Sequence, residues 1–300
     1  MKWFNKIIVG IMPIFPKSFI WLFSRRYIAG KTLADAVRKT LELNSMGCCV
    51  TIDVLGEEIM SLEEATQSKE ESIRVLETIH ENELDANLSL KLTSLGLRID
   101  KEQCLKNVRE IVQKAKALKN FVRIDMEDST CTDDTLDIYR RLRKDFSNVG
   151  TVIQAYMRRS RKDVQQLIDE NIAHLRICKG IYDEPKEIAF KDKEEVRDSF
   201  MGLVKMMLET GSFSGIATHD KVLVERSDEV IASSKADSSK YEFQMLLGVT
   251  EKLRGDIVGR GNRMRVYVPY GEQWYGYCMR RLKENPQVAG HIIKNLFVRG

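Results

Sequence analysis

Titratable and polar side chains gather where short apolar runs of this sequence come to an end. Asp53 closes one run, and Lys91 sits late in the next. A third run offers Asp125, Glu127 and Asp128, and a fourth offers Gln154, Tyr156 and Arg158. The fifth carries Arg176, Lys179 and Tyr182, and the sixth Thr218, His219 and Asp220. Gln244 stands in the seventh, Tyr267 and Tyr270 in the eighth. A charge at the end of a buried strand is costly unless it is paired, solvated or covered by a ligand. Any one of these positions reads equally well as half of a salt bridge that shapes a barrel mouth. All eight together, with Lys, Arg, Asp, Gln, His and Tyr represented, point to a site for a polar, anionic ligand.

The stretch after the eighth run, EQWYGYCMRRLKENP, sets Arg280 beside Arg281, with Glu284 one helical turn on. Two adjacent guanidinium forks suit a carboxylate, which they grip bidentately. The plain alternative is a solvated basic turn, and RRLK alone does not beat it. Metal chemistry finds no support. Four histidines are scattered, and none of the six cysteines forms a Cys-x-x-Cys pair or a cluster of zinc spacing. The cysteines read as reduced thiols of a cytosolic protein.

These residues need a scaffold that brings eight strand ends to one place. The apolar runs are CVTIDVLG (49–56), LSLKLTSLG (88–96), FVRIDMED (121–128), VGTVIQAYM (149–157), HLRICKGIY (174–182), FSGIATHD (213–220), YEFQMLLG (241–248) and MRVYVPYG (264–271). Each has strand length and is rich in Val, Ile, Leu and aromatics. Segments of helical period lie between them. Ser61 and Glu64 form a capping-box signature before LEEATQSKEESIRVLETIHENEL. Asp100 is placed to cap the next helix, whose Leu105, Val108, Ile111, Val112 and Ala115 make one apolar face. TLDIYRRLRKDF, DVQQLIDENI and VRDSFMGLVKMMLET behave likewise. Such alternation predicts parallel strands joined by crossover helices, and eight units in this length predict a closed (β/α)8 TIM barrel. A doubly wound open sheet is the runner-up, but the Gly-x-Gly-x-x-Gly turn it usually carries is missing.

The bulk numbers agree with one large domain. The chain has 300 residues, 43% hydrophobic and 31% charged, with a formal net charge of +4. There is apolar material for a sizeable core, no basic stripe of the kind nucleic acid requires, and no low-complexity linker. The N-terminus departs from the rest. Residues 3–23 read WFNKIIVGIMPIFPKSFIWLF, with Lys2 and Lys6 ahead and Arg25 and Arg26 behind. Pro13, Pro16 and Lys17 break a membrane span in the middle. No Ala-x-Ala cleavage site follows, which weakens a signal peptide. The favoured reading is an apolar helical arm, residues 1–30, that packs on the barrel or lies on a membrane surface. The barrel then occupies 31–300.

The segments LKLTSLGL, VRIDMEDS, QAYMRRS, LRICKGIYDEPKEIAF, IATHD, YEFQMLLG and VYVPYGEQWYGYCMRRLKENP, in this order, resemble the proline dehydrogenase family, in its short monofunctional bacterial form. The resemblance runs from about residue 27 almost to the C-terminus. It implies a distorted barrel that binds FAD noncovalently at its C-terminal face. It implies that Arg176 sits near flavin N5. Met126, Gln154, Lys179, Gly180, Ile181, Thr218 and His219 then line the flavin and its phosphates, with Glu284 helping from the last helix. For the substrate, L-proline, it implies that Arg280 and Arg281 hold the carboxylate while Lys91, Asp125, Tyr182, Leu246 and Tyr267 close the pocket. Asp125 and Arg176 are the expected catalytic pair, and Asp125 is expected to pair with Lys91 on the pocket floor.

The implied reaction is hydride transfer from C5 of proline to the flavin, giving 1-pyrroline-5-carboxylate. The protein supplies orientation and charge. The implied electron acceptor is a membrane quinone, which would give the apolar arm a role in peripheral association with the inner membrane. Two rivals stand beside this. One is a Schiff-base aldolase or lyase using Lys91 or Lys179 as nucleophile. The other is a membrane-surface binding module without enzymatic activity.

Overall fold

In the computed structural model, residues 20–21, 25–56 and 59–284 are described, with side chains as far as Met279. Eight parallel strands close a barrel in sequence order: β1 (Cys48–Val54), β2 (Ala86–Leu90), β3 (Val122–Ile124), β4 (Val149–Gln154), β5 (His174–Cys178), β6 (Phe213–Ala217), β7 (Tyr241–Leu246) and β8 (Met264–Tyr270). Strand β8 closes the barrel by pairing with β1 from Cys48↔Met264 to Val54↔Tyr270. The helices are α1 (Leu33–Ser45), α2 (Leu62–Glu81), α3 (Lys101–Ala117), α4 (Thr132–Arg143), α5 (Ser160–Asp169), α6 (Lys193–Glu209), α7 (Lys221–Ser234), α8 (Glu251–Gly259) and α9 (Trp274–Glu284). The strands begin within two residues of the apolar runs and end before them. The tails of the runs leave the sheet and form the loops at the C-terminal mouth.

Helix starts follow side-chain chemistry. Asp100 caps α3 by accepting from the N–H groups of Glu102 and Gln103 at 2.9 and 3.0 Å. Asp192 does the same for α6. Ser61 caps α2 by accepting from Glu64, but the expected box closes only by half. The Glu64 carboxylate reaches the N–H of Met60 rather than that of Ser61. A complete capping box stands at α1, between Thr32 and Asp35.

The apolar core lies between the strands and the helices. Val50, Ile52, Leu88, Val122 and Ile124 point outward from the sheet and are fully buried under the helical shell with Val75, Leu76, Ile111 and Val112. Residues of the opposite parity face the lumen, as the period of two requires. In many barrels the lumen is filled by branched apolar side chains. Here it holds Asp53, Arg123, Arg176, Glu242, Gln244 and Arg265, each 7% exposed or less. At the N-terminal end of the strands three rings stack: Phe121 lies 4.5 Å from His174, which lies 4.1 Å from Phe213, centroid to centroid. Arg123 stands 5.0 Å over Phe121 and donates to the carbonyls of Thr151 and His174. Its side chain needs the space left by Gly150, where a Cβ would lie 2.4 Å from the guanidinium. Burial and the Arg123 charge hold His174 well below the usual imidazole range, so the ring is neutral.

Of the arm read at the N-terminus, residues 1–19 and 22–24 lie outside the described residues. Residues 25–30 are fastened to the C-terminal mouth. The N–H of Ala29 donates to Pro269, Gly271 donates to Gly30, and the Arg26 guanidinium donates to Gly248. Ile20, Tyr27 and Ile28 pack with Leu55, Trp274, Tyr277 and Met279, forming a small core between this segment and α9. No helix among the described residues is long and apolar enough to cross a membrane.

Candidate active site

A cavity of about 830 Å³ opens at the C-terminal ends of the strands. Ligand pockets span roughly 300–1,000 Å³, so this one is large. Every residue that the resemblance assigned to the site and whose side chain is described lines it: Lys91, Asp125, Met126, Gln154, Arg176, Lys179, Gly180, Ile181, Tyr182, Thr218, His219, Leu246 and Tyr267. Of the other strand-end side chains, Glu127, Asp220 and Gln244 also line it, whereas Asp53, Asp128, Tyr156, Arg158 and Tyr270 do not. The side chains of Arg280, Arg281 and Glu284 lie outside the described residues; their backbone belongs to α9, whose Tyr277 also lines the cavity.

Asp125 follows β3 and is the hub of the floor. One carboxylate oxygen accepts from Arg176 and from the Ser89 hydroxyl, both at 2.7 Å, and the other accepts from the Tyr267 hydroxyl at 2.7 Å. Arg176 lies with its guanidinium 5.3 Å from the Tyr267 ring. Burial, then the nearby Asp125 and Asp53 carboxylates, push Tyr267 well above its usual range, so its hydroxyl remains a donor.

The expected pairing of Asp125 with Lys91 is not what forms. Lys91 donates to both oxygens of Asp53, at 2.8 and 2.9 Å. The reason is saturation. Asp125 already has three donors, from β2, β5 and β8, whereas Asp53, almost wholly buried, would be a carboxylate without a cation. Burial pushes Asp53 up to about 6, against the pull of Lys91.

The opposite wall is built by the ends of β5 and β6. Lys179 donates to Asp220 at 2.6 Å, and Arg197 from α6 grips the same carboxylate at 2.9 Å through two nitrogens. Asp220 also caps α7. Its carboxyl lies well below the usual range: burial opposes this, and the bonds from Arg197 and Lys179 outweigh it. Gly180 follows Lys179 with φ of +101°, and a Cβ there would lie 2.2 Å from the Tyr156 ring. Only glycine lets the chain turn there against that ring. Gln154 donates to the carbonyl of Glu127 at 2.8 Å. The N–H of Leu246 donates to Nε2 of His219 at 2.8 Å, which puts the ring proton on Nδ1. The Cys178 thiol, pushed up to about 11 by burial, stays protonated. No group of acidic, His and Cys side chains among the described residues could hold a metal ion.

The profile of the family described as proline dehydrogenase matches residues 36–293. Proline dehydrogenase 1 of Bacillus subtilis is 40% identical over 275 residues, covering 92% of this chain and 91% of that protein. The chain belongs to the proline dehydrogenase family. A proline dehydrogenase of Deinococcus radiodurans, 33% identical over 282 residues, spans 92% of this chain and 91% of its own length. Among solved structures, proline utilization A from Bdellovibrio bacteriovorus, inactivated by N-propargylglycine, superposes with a TM-score of 0.83. It is 24% identical, and the match covers 88% of this chain and 32% of that one. That likeness concerns the fold, a (β/α)8 barrel. Membership makes the chain an oxidoreductase of the proline dehydrogenase type.

Several lining residues escaped the sequence reading. Arg265 and Lys193 both touch the cavity. Glu242 lies beneath it and is 2% exposed. A signal existed for two of these. Glu242 shares the parity of Gln244 and Leu246, and Arg265 that of Tyr267, so both are charges on the lumen face of otherwise apolar strands. Lys193 sits at a helix start and had no such signal.

Proposed function

We propose that this protein oxidises L-proline to 1-pyrroline-5-carboxylate with FAD as the bound hydride acceptor, and delivers the electrons to a membrane quinone. Family membership supports the substrate. The donor set and shape of the site support a bound flavin, and the quinone acceptor rests on the family resemblance alone. The observation that carries the reading is the Asp125 hub, gripped by Arg176, Tyr267 and Ser89 on the floor of a large cavity that Lys91, Lys179 and Thr218 also line.

The residues present fit FAD. Lys179 and Thr218 offer donors to an anionic chain, Gln154 and His219 offer polar edges, and the Gly180 turn keeps side-chain bulk away from that wall. Met126 and Ile181 add apolar surface for a flat ring. Arg176 and Glu284 complete the set assigned to the cofactor. Bound FAD supplies the two-electron acceptor that no side chain can provide.

The chain's own residues do the rest. Arg280 and Arg281 hold the substrate carboxylate, and Lys91, tied to Asp53, stands at the pocket edge. Tyr182, Leu246 and Tyr267 close around the ring and exclude water. Asp125 stands as the negative charge nearest the amine, and Arg176 keeps it oriented. Proline loses a hydride from C5 and a proton from nitrogen, and a C5=N double bond forms. Orientation of the C5–H bond is what the enclosed pocket contributes.

The lyase alternative is disfavoured by the two ion pairs. Lys91 and Lys179 are each engaged by a carboxylate, Asp53 and Asp220, which occupies the nitrogen that a Schiff-base mechanism would need to present to a carbonyl. The test is spectroscopic. The purified protein should show flavin absorption bands that bleach when proline is added without oxygen. A colourless protein, or one that borohydride traps covalently with a carbonyl substrate, would overturn the proposal.

A further inference from the structure

Below the pocket floor, Glu242 and Gln244 of β7 form a buried pair that the reaction as described does not use. We propose that Glu242 is a positioning residue for proline oxidation: acting through the Gln244 amide, it fixes the Arg176 guanidinium against Asp125. The inference rests on the reading of Arg176 as a contact of the bound cofactor.

The argument is one of hydrogen-bond sense. The Oε1 atom of Glu242 accepts from Arg265 Nε at 2.5 Å and from Gln244 Nε2 at 2.7 Å, and its Oε2 accepts from Arg265 and from Arg263, each at 3.1 Å. Burial opposes ionisation of Glu242, but Arg265 and then Arg263 outweigh it and lower its pKa. An ionised carboxylate only accepts. The Gln244 amide must therefore turn its NH2 toward Glu242. Its carbonyl oxygen is thereby aimed at Arg176, whose Nε donates to it at 2.5 Å. A guanidinium only donates, so the reversed amide would set donor against donor. Arg176 is thus held at both ends, by Gln244 at Nε and by Asp125 at Nη1. Gly215 on β6 makes room for this arrangement. A Cβ there would lie 2.4 Å from Gln244 Nε2.

The rival is that Glu242 merely neutralises Arg265. Three variants of the holoenzyme separate the two. Gly215→Ala displaces the Gln244 amide, the end of a flexible side chain, and leaves every charge in place. Glu242→Gln frees the amide to reverse. The double variant Glu242→Gln, Gln244→Glu restores the original sense, because residue 242 then donates and residue 244 accepts from Arg176. Flavin reduction by proline, the flavin midpoint potential and the melting temperature are measured for each.

We expect roughly tenfold slower reduction in Gly215→Ala and in Glu242→Gln, and recovery of most of the rate in the double variant. A tenfold loss of preference for the reduced flavin would lower the potential by about 30 mV for a two-electron couple. Wild-type rates and potentials in Gly215→Ala and Glu242→Gln would overturn the inference, whatever their melting temperatures. A double variant no better than Glu242→Gln would also overturn it and favour simple charge neutralisation. Should Glu242→Gln fail to fold, Gly215→Ala and the double variant still decide. A wild-type protein without flavin overturns this inference together with the proposed function, whereas flavin-loaded variants of unchanged potential overturn the inference alone.

Discussion

Asp53 and Asp125 face the same lumen but have different partners. Asp125 is held by an arginine, a serine and a tyrosine; Asp53 has Lys91 and deep burial. With Asp53 pushed up to about 6, its carboxylate holds Lys91 only above that pH. Proline kcat/KM should therefore fall as pH drops through about 6, and Asp53→Asn should abolish that acid limb. A pH–rate profile of both proteins checks this. The stability effect has the opposite sense. The folded state binds this proton more tightly than the unfolded chain, with its ordinary value of about 3.9, so Asp53 costs stability as pH rises from about 3.9 to about 6. For Arg280→Met or Arg281→Met we expect proline KM to rise about ten- to a hundredfold, from a lost charged hydrogen bond of about 1.5–3 kcal/mol, while FAD stays bound. Unchanged proline kinetics in both would remove the carboxylate assignment. Residue types at the strand ends were legible in the sequence. Their partners were not, because Lys91 chooses Asp53 over Asp125 only once donors from β2, β5 and β8 converge on the latter.

Among the elements, caps were the most legible feature. Asp100 was read as a cap and is one; Asp100→Ala should cost about 0.5–2 kcal/mol, seen as a lower urea midpoint. Asp220 carries more, because it caps α7 and ties it to Lys179 and Arg197. Its carboxyl is depressed, so its stabilisation is complete above the unfolded value of about 3.9 and is lost as pH falls through the folded value. Asp220→Asn should lower the melting temperature at neutral pH and lessen its decline in acid. Equal acid slopes in both proteins would count against this. Strand starts were legible from β-branched and aromatic runs. Strand ends were not, since the polar tails of those runs satisfy their backbone in loops. Helices α5 and α6 begin three residues before the apolar periodicity does, because their first residues are polar: Ser160, Arg161 and Lys162 in α5, and Lys193, Glu194 and Glu195 in α6. The half-formed box at Ser61 shows the limit of spacing: the Glu64 carboxylate accepts from the N–H of Met60, one residue before the cap.

At the scale of the whole molecule, the segment before α1 binds the two ends of the barrel chain together at the mouth. Ile28 is 1% exposed in the small core shared with Trp274 and Tyr277. Ile28→Ala should cost about 2–5 kcal/mol and also raise proline KM, because α9 carries Arg280 and Arg281. A loss of stability with unchanged KM would show that this core does not steer the last helix. The closed barrel was legible because eight apolar runs alternate with amphipathic stretches. The ionic filling of its lumen was not, since cross-barrel neighbours are set by register rather than by distance along the chain. The stacked rings of Phe121, His174 and Phe213 stand at the end of the barrel away from the cavity. The cavity itself opens at the opposite end, among the C-terminal ends of the strands. On the proposed reading, an amino acid going in, an imine coming out and whatever collects the electrons all use that opening, and sharing it would give the alternating kinetics of a turnstile rather than those of a corridor.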